Sequence, residues 1–224
     1  PSMLNPDEAW TITTESAPIP VAAASGGQDL VLLAHGAGSH MQHRTMLWVS
    51  DVARAGGLRP TRFNFGYRVV GRAIPDKMPV LVATYREVID SVRDRLRPRR
   101  LIIGGHSMGG RAASMLLAEE GHEGVHGLLL FGYPLHPPGR LDKLRNAHLP
   151  AIRVPTLQLS GTRDEFCDRL TMERVMKTLD PSTWTLRWVE GADHSYVIAK
   201  SSGRTRTDAA VEMSKAISGW MKTV

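Results

Sequence analysis

The stretch Leu101-Ile102-Ile103-Gly104-Gly105-His106-Ser107-Met108-Gly109-Gly110 decides the reading of this chain of 224 residues. An apolar run of strand length meets a serine flanked two residues either side by glycine, and a helical pattern starts directly after it. A serine on so sharp a turn is held in a strained backbone conformation. Glycines at positions 105 and 109 let the neighbouring strand and helix pass without Cβ clashes, which lifts the hydroxyl above the carboxyl edge of a sheet. The free N–H groups of a helix beginning at Met108 point at the same spot, where they would stabilise negative charge developing on an attacked carbonyl oxygen.

Working outward, short β-rich segments alternate with amphipathic helical ones from end to end, with no repeat and no linker-like stretch. Trp10–Ser16 and Ile19–Ala24 read as an opening antiparallel pair around a proline-containing turn. Leu30–Ala34, Thr61–Phe65, Leu101–Gly104, Gly127–Phe131, Thr156–Ser160 and Thr183–Val189 complete eight expected strands. Several are continuously apolar, as strands buried on both faces of a parallel sheet are. Leu81, Tyr85, Val88, Ile89, Val92 and Leu96 form one helical stripe, with Pro79 suited to its first turn. Met108–Glu120 ends at Gly121, and Ala210, Met213, Ile217, Trp220 and Met221 line one side of a last helix. The expectation is a single α/β domain over residues 1–224, an eight-stranded mostly parallel sheet flanked by helices on both faces. Between Gly132 and Val154 there is room for a minimal cap with one short helix over Leu141–Ala147.

Composition narrows the function. Lys and Arg number 28 against 22 Asp and Glu, for a net charge of +6, yet no nucleic-acid recognition motif accompanies the excess. The densest basic run, Arg93–Arg100, falls at a helix end, where cations meet the macrodipole. No apolar run reaches the roughly 18 residues of a membrane span, and Pro1–Trp10 lacks a signal pattern. The one cysteine, Cys167, forms no internal disulfide and no metal cluster, so cytoplasmic is the expected location. No cofactor, metal, nucleic acid or membrane partner is expected.

A serine hydroxyl needs a base, and imidazole is suited to take its proton near neutral pH. Of nine histidines, His194 in Gly191-Ala192-Asp193-His194-Ser195-Tyr196 follows the last strand, at the edge where catalytic loops collect. His35 shapes the loop after the first central strand, His106 points away beside the nucleophile, and His136 and His148 flank the cap as candidate substrate contacts. The base needs a carboxylate on its other nitrogen. Asp164, just past the seventh strand, is chosen over Glu165, over Asp168, which suits a helix N-cap, and over Asp193, adjacent to the histidine itself. In His35-Gly36-Ala37-Gly38 the small residues let the backbone approach a ligand, so the Ala37 and Met108 N–H groups are assigned as oxyanion donors. Arg68 and Arg72 follow the fourth strand on the same edge and are candidates to hold a substrate carboxylate or phosphate.

These residues resemble the α/β-hydrolase superfamily over nearly everything from Leu30 to Met221. More narrowly the chain is similar to small hydrolases akin to dienelactone hydrolases, through His35–Gly38, Arg62–Arg68, Gly104–Arg111, Gly132–Gly139 and Gly161–Phe166. The resemblance implies an eight-stranded sheet, with Ser107 as nucleophile, Asp164 as acid and His194 as base. The resemblance carries no substrate; from the serine, its base and its oxyanion donors the expected reaction is hydrolysis of a small-molecule carboxylic ester or thioester through an acyl-enzyme. An animal relative that serves in a chromatin acetyltransferase complex supplies the alternative, a non-catalytic interaction or scaffolding protein on the same fold.

Overall fold

Alternation of buried side chains along the central strands sets the architecture. On Asp29–Ala34, Val31 and Leu33 pack on one face while Leu30, Leu32 and Ala34 pack on the other. Gly127–Phe131 repeats the pattern, Leu129 and Phe131 opposing Leu128 and Leu130. Strands apolar on both faces require cover on both faces. The computed structural model describes residues 8–119 and 123–224.

The strands are β1 (Glu8–Thr13), β2 (Pro18–Ala23), β3 (Asp29–Ala34), β4 (Arg59–Phe63), β5 (Arg100–His106), β6 (Gly127–Phe131), β7 (Thr156–Gly161) and β8 (Trp184–Val189). They form one eight-stranded sheet in the order β1-β2-β4-β3-β5-β6-β7-β8. β1 and β2 pair antiparallel, as do β2 and β4, and all other neighbours are parallel. The expected eight-stranded, mostly parallel sheet is therefore present. One strand is displaced: the Thr61–Phe65 segment is strand only to Phe63, because Arg59 and Pro60 already pair with Leu30 and Val31. Asn64 leaves the ladder, and its Oδ1 accepts the Met41 N–H at 2.7 Å.

The helices are α1 (Arg44–Ala55), α2 (Gly66–Val69), α3 (Met78–Leu96), α4 (Met108–Glu119), α5 (Arg169–Met176) and α6 (Arg206–Trp220). Buried residues of α3, α4 and α5 join one core, and those of α1 and α6 join the other. The α3 stripe runs as expected, with Leu81, Tyr85, Val88, Ile89 and Val92 buried and Pro79 in the first turn. Gly121, expected to stop α4, lies outside the described residues. No helix among the described residues is long and apolar enough to cross a membrane.

The cap differs from expectation. Leu141–Ala147 forms turns, and the only regular piece between β6 and β7 is a 3₁₀ turn at Leu149–Ala151. The backbone bonds of this segment go across the loop rather than up a helix: Arg145 N–H donates to Leu135 O at 2.8 Å, and the Tyr133 hydroxyl to Arg145 O at 2.6 Å. Such pairing folds the segment back along residues 133–137 and leaves the mouth above β5 without a helical lid.

Behind the serine turn, the fully buried Tyr85 of α3 reaches into the sheet. Its hydroxyl lies 2.7 Å from both the Leu32 and the Gly104 carbonyl oxygens and accepts the Gly104 N–H at 3.0 Å. It therefore bridges β3 and β5, just before the chain turns. Tyr85→Phe leaves these groups buried and unpaired, with an expected loss of about 1–3 kcal/mol in stability. The urea midpoint at constant slope measures it.

Candidate active site

Ser107 adopts φ 53, a left-handed conformation rare for a residue with a side chain. Two close approaches make the turn possible. A Cβ at position 105 would sit 2.3 Å from Ala34 O, and one at position 109 would sit 2.2 Å from the same oxygen. Glycine at both positions lets β5 and the start of α4 press directly on the end of β3. Ser107 N–H donates to Phe131 O at 3.0 Å, and Ser107 O accepts the Arg111 N–H at 3.0 Å, so strand and helix both hold the turn.

Ser107 lines a cavity of about 530 Å³ together with Ala37, Met108, Arg111, Arg145 and His194. At its back, His194 Nδ1 lies 2.9 Å from both carboxylate oxygens of Asp164. An ionised carboxylate only accepts, so Nδ1 carries the proton and Nε2 is left free. The Asp164 side chain has 0% exposure, and its Oδ1 also accepts the Phe166 N–H at 2.8 Å, which fixes the carboxylate in place. Phe166 covers the imidazole, with ring centroids 4.3 Å apart. Among the described residues no hydrogen bond joins the Ser107 hydroxyl to His194. Contacts of this kind are often loose before a substrate arrives.

Two other histidines brace the site and stay neutral. His106 is buried, and its Nε2–H donates to His194 O at 2.8 Å, tying the loop of the imidazole to the end of β5. Burial, then the neighbouring His194, lowers its pKa to about 4. His35 accepts the Phe65 N–H on Nε2 at 3.1 Å and donates from Nδ1 to Gly36 O at 2.9 Å. Burial draws it down to about 4 as well. His35 thus anchors the turn Gly36-Ala37-Gly38-Ser39, closed by Ser39 N–H to Gly36 O at 3.2 Å with Gly38 at φ 67. A Cβ at position 36 would lie 3.3 Å from the Ser107 Cβ, so this turn abuts the serine. Neither the Ala37 nor the Met108 N–H has an acceptor among the described residues.

The remaining candidates separate cleanly. Asp168 caps α5, accepting the Thr171 N–H at 2.8 Å. Asp193 shapes its own turn, accepting the Ser195 and Val197 N–H groups at 2.8 and 2.9 Å. Burial pushes the Cys167 thiol up to about 12, far from a reactive thiolate. His136 is not a cavity residue. It is buried, with Nδ1–H donating to Pro137 O and Nε2 accepting the Asp168 N–H, both at 2.9 Å, so both ring nitrogens serve the cap. His148 bonds the Ser114 hydroxyl at 2.8 Å and is likewise absent from the lining. Arg68 and Arg72 also lie outside the lining: Arg68 donates to Arg72 O at 3.2 Å, and Arg72 pairs with Asp76 at 2.6 Å. The arginines that do line the cavity, Arg111 and Arg145, were missed. Arg111 carried a signal, since four residues after Ser107 on a helix means the same face one turn on.

A family model described as an alpha/beta hydrolase domain matches residues 27–222, and the chain belongs to that family. Solved structures of similar shape include an alpha-beta serine hydrolase homologue from Coxiella burnetii, with 16% identity, a TM-score of 0.72, and coverage of 95% of this chain and 96% of that one. A dienelactone hydrolase from Anabaena variabilis has 19% identity and a TM-score of 0.70, with 96% of each chain covered. The esterase Pf2001 from Pyrococcus furiosus has 17% identity and a TM-score of 0.73, with 96% of this chain and 89% of that one covered. At these identities the likeness establishes the fold.

The lowered histidines give a pH dependence of stability. His35, His106 and His148, each at about 4 when folded, take up protons in the unfolded chain near pH 6.5. Between those values the unfolded state binds more protons, so stability is full above about pH 6.5 and falls as pH drops toward 4. Urea midpoints across this range are expected to decline on acidification, and His35→Gln to flatten the profile. A midpoint constant from pH 7 to 4.5 would contradict the buried neutral assignments.

Proposed function

We propose that this chain is a serine hydrolase that cleaves a carboxylic ester or thioester through an acyl-enzyme. The observation that carries the reading is the hydrogen-bonded Asp164–His194 pair opening into the same cavity as the strained Ser107 turn. In this reading Ser107 Oγ attacks the substrate carbonyl carbon while His194 Nε2 takes its proton. Asp164 holds the imidazole in the right tautomer and stabilises the imidazolium. The Ala37 and Met108 N–H groups, free of other acceptors, receive the tetrahedral oxyanion, each typically worth about two to three orders of magnitude in rate. Collapse breaks the bond to the alkoxide or thiolate, which leaves with the proton from His194. Water then attacks the acyl-Ser107, giving its proton to His194; the carboxylic acid departs, and the proton returns to Oγ. No step draws on a metal or an organic cofactor.

The hydrolase family and the esterases among structures of similar shape support a hydrolase of this kind. Hydrolysis of 4-nitrophenyl acetate and butyrate tests the reading. Ser107→Ala is expected to abolish turnover, and Asp164→Asn to lower kcat on the order of 10³–10⁴-fold, with the fold retained in both. Parent-level activity in Ser107→Ala would overturn the assignment. A parent chain inert toward a broad ester and thioester panel would favour the non-catalytic interaction role on the same fold.

A further inference from the structure

We infer that the cavity takes an ester or thioester bearing a carboxylate or phosphate group, and that Arg111 and Arg145 hold that group. This deepens the hydrolase reading and rests on it. Arg111 lies one turn along α4 from Ser107, and Arg145 reaches the cavity from the cap segment. Both are set in place by their backbones: Arg111 N–H bonds Ser107 O, and Arg145 bonds Leu135 O through its N–H and the Tyr133 hydroxyl through its carbonyl. Arg145 Nη1 adds a 3.3 Å bond to Pro134 O.

These are the two arginines that line the Ser107 cavity, and among the described residues they have no counter-charge there. Arg72, Arg99, Arg100 and Arg169 all reach a carboxylate. Among the described residues neither Arg111 nor Arg145 does, and Arg111 Nε is buried with no hydrogen-bond partner. Nearby carboxylates are already committed, Asp76 at the rim to Arg72 at 2.6 Å and Asp164 to His194 at 2.9 Å. The imidazoles facing this region add no negative charge. The uncompensated charge is felt by its neighbours: burial first, and then Arg111, lowers both Arg145 and His148. A buried guanidinium donor without an acceptor is costly, and a carboxylate or phosphate offers the paired oxygens that relieve it. The cavity volume of about 530 Å³ admits a small metabolite ester with room for such a group beside the serine.

Matched substrates test this on the full chain: mono-4-nitrophenyl adipate against its methyl ester places the anion on the acyl side, and 4-acetoxybenzoate against its methyl ester places it on the leaving group. With spontaneous hydrolysis subtracted, kcat/KM is expected to favour the anionic member of at least one pair by about tenfold or more. That ratio is expected to collapse toward unity in Arg111→Gln and in Arg145→Gln, and to survive in part in Arg111→Lys, which keeps the charge and so separates charge from damage to the fold. Calorimetric titration of Ser107→Ala with adipate and with inorganic phosphate reads binding without chemistry, and whichever ligand saturates tells carboxylate from phosphate. Arginine-dependent binding in a chain that hydrolyses no ester would sink the hydrolase reading and leave the anion site standing. Ratios near unity for both pairs, or a preference and binding indifferent to both arginine replacements, would overturn the anion site while Ser107-dependent ester turnover stood.

Discussion

The close approach of the Ser107 turn to the end of β3 is the constraint on which the rest of the site depends. The left-handed backbone at Ser107 costs on the order of 1–3 kcal/mol, and it persists only because the surroundings over-determine it. Ala34 O fills the space that side chains at positions 105 and 109 would need, and Phe131 O takes the Ser107 N–H. The cores on the two sheet faces hold β3, β5 and β6 in place against that strain. Loosening any of these strands would let the serine relax into an ordinary conformation, with its hydroxyl no longer presented at the cavity.

Neutral imidazoles extend that rigidity to the loops. His35 braces the turn Gly36–Ser39, and His106 ties the His194 loop to β5. Both are buried and uncharged, so each offers one donor and one acceptor at defined positions without placing a cation in the core. His194 differs from them in having a buried carboxylate on one nitrogen and the cavity beside the other. Four histidines near one edge thus divide into two that hold backbone, one that caps α1 through the Thr45 N–H, and one paired with a carboxylate at the cavity.

The sheet was legible in the sequence because its central strands are apolar on both faces and separated by turn residues, which leaves little choice of architecture. The Gly-x-Ser-x-Gly spacing located the serine turn for a steric reason that the Ala34 contacts make concrete. Asp164 and His194 could be chosen by position along the chain, and the structure brings those two together. Less was legible where tertiary pairing decides. The start of β4 depends on the register of Arg59 and Pro60 with β3. The cap residues Leu141–Ala147 have no helix, Arg145 among them bonding back to Leu135 and Tyr133, and His136 turned inward because its ring bonds Pro137 O and the Asp168 N–H. α1 begins at a histidine cap rather than a serine, threonine or aspartate, so its start carries little local signal. Arg145 reaches the cavity only through the cap fold, and nothing near it in sequence announces that.

The central claim is that the Ser107 hydroxyl is an activated nucleophile. Treating the folded chain with a fluorophosphonate and mapping the tryptic peptide Leu101–Arg111 by mass spectrometry tests it most directly. The account predicts a single adduct on Ser107, formed at neutral pH and prevented by prior unfolding. An unmodified Ser107, or an adduct only on other residues, would contradict it.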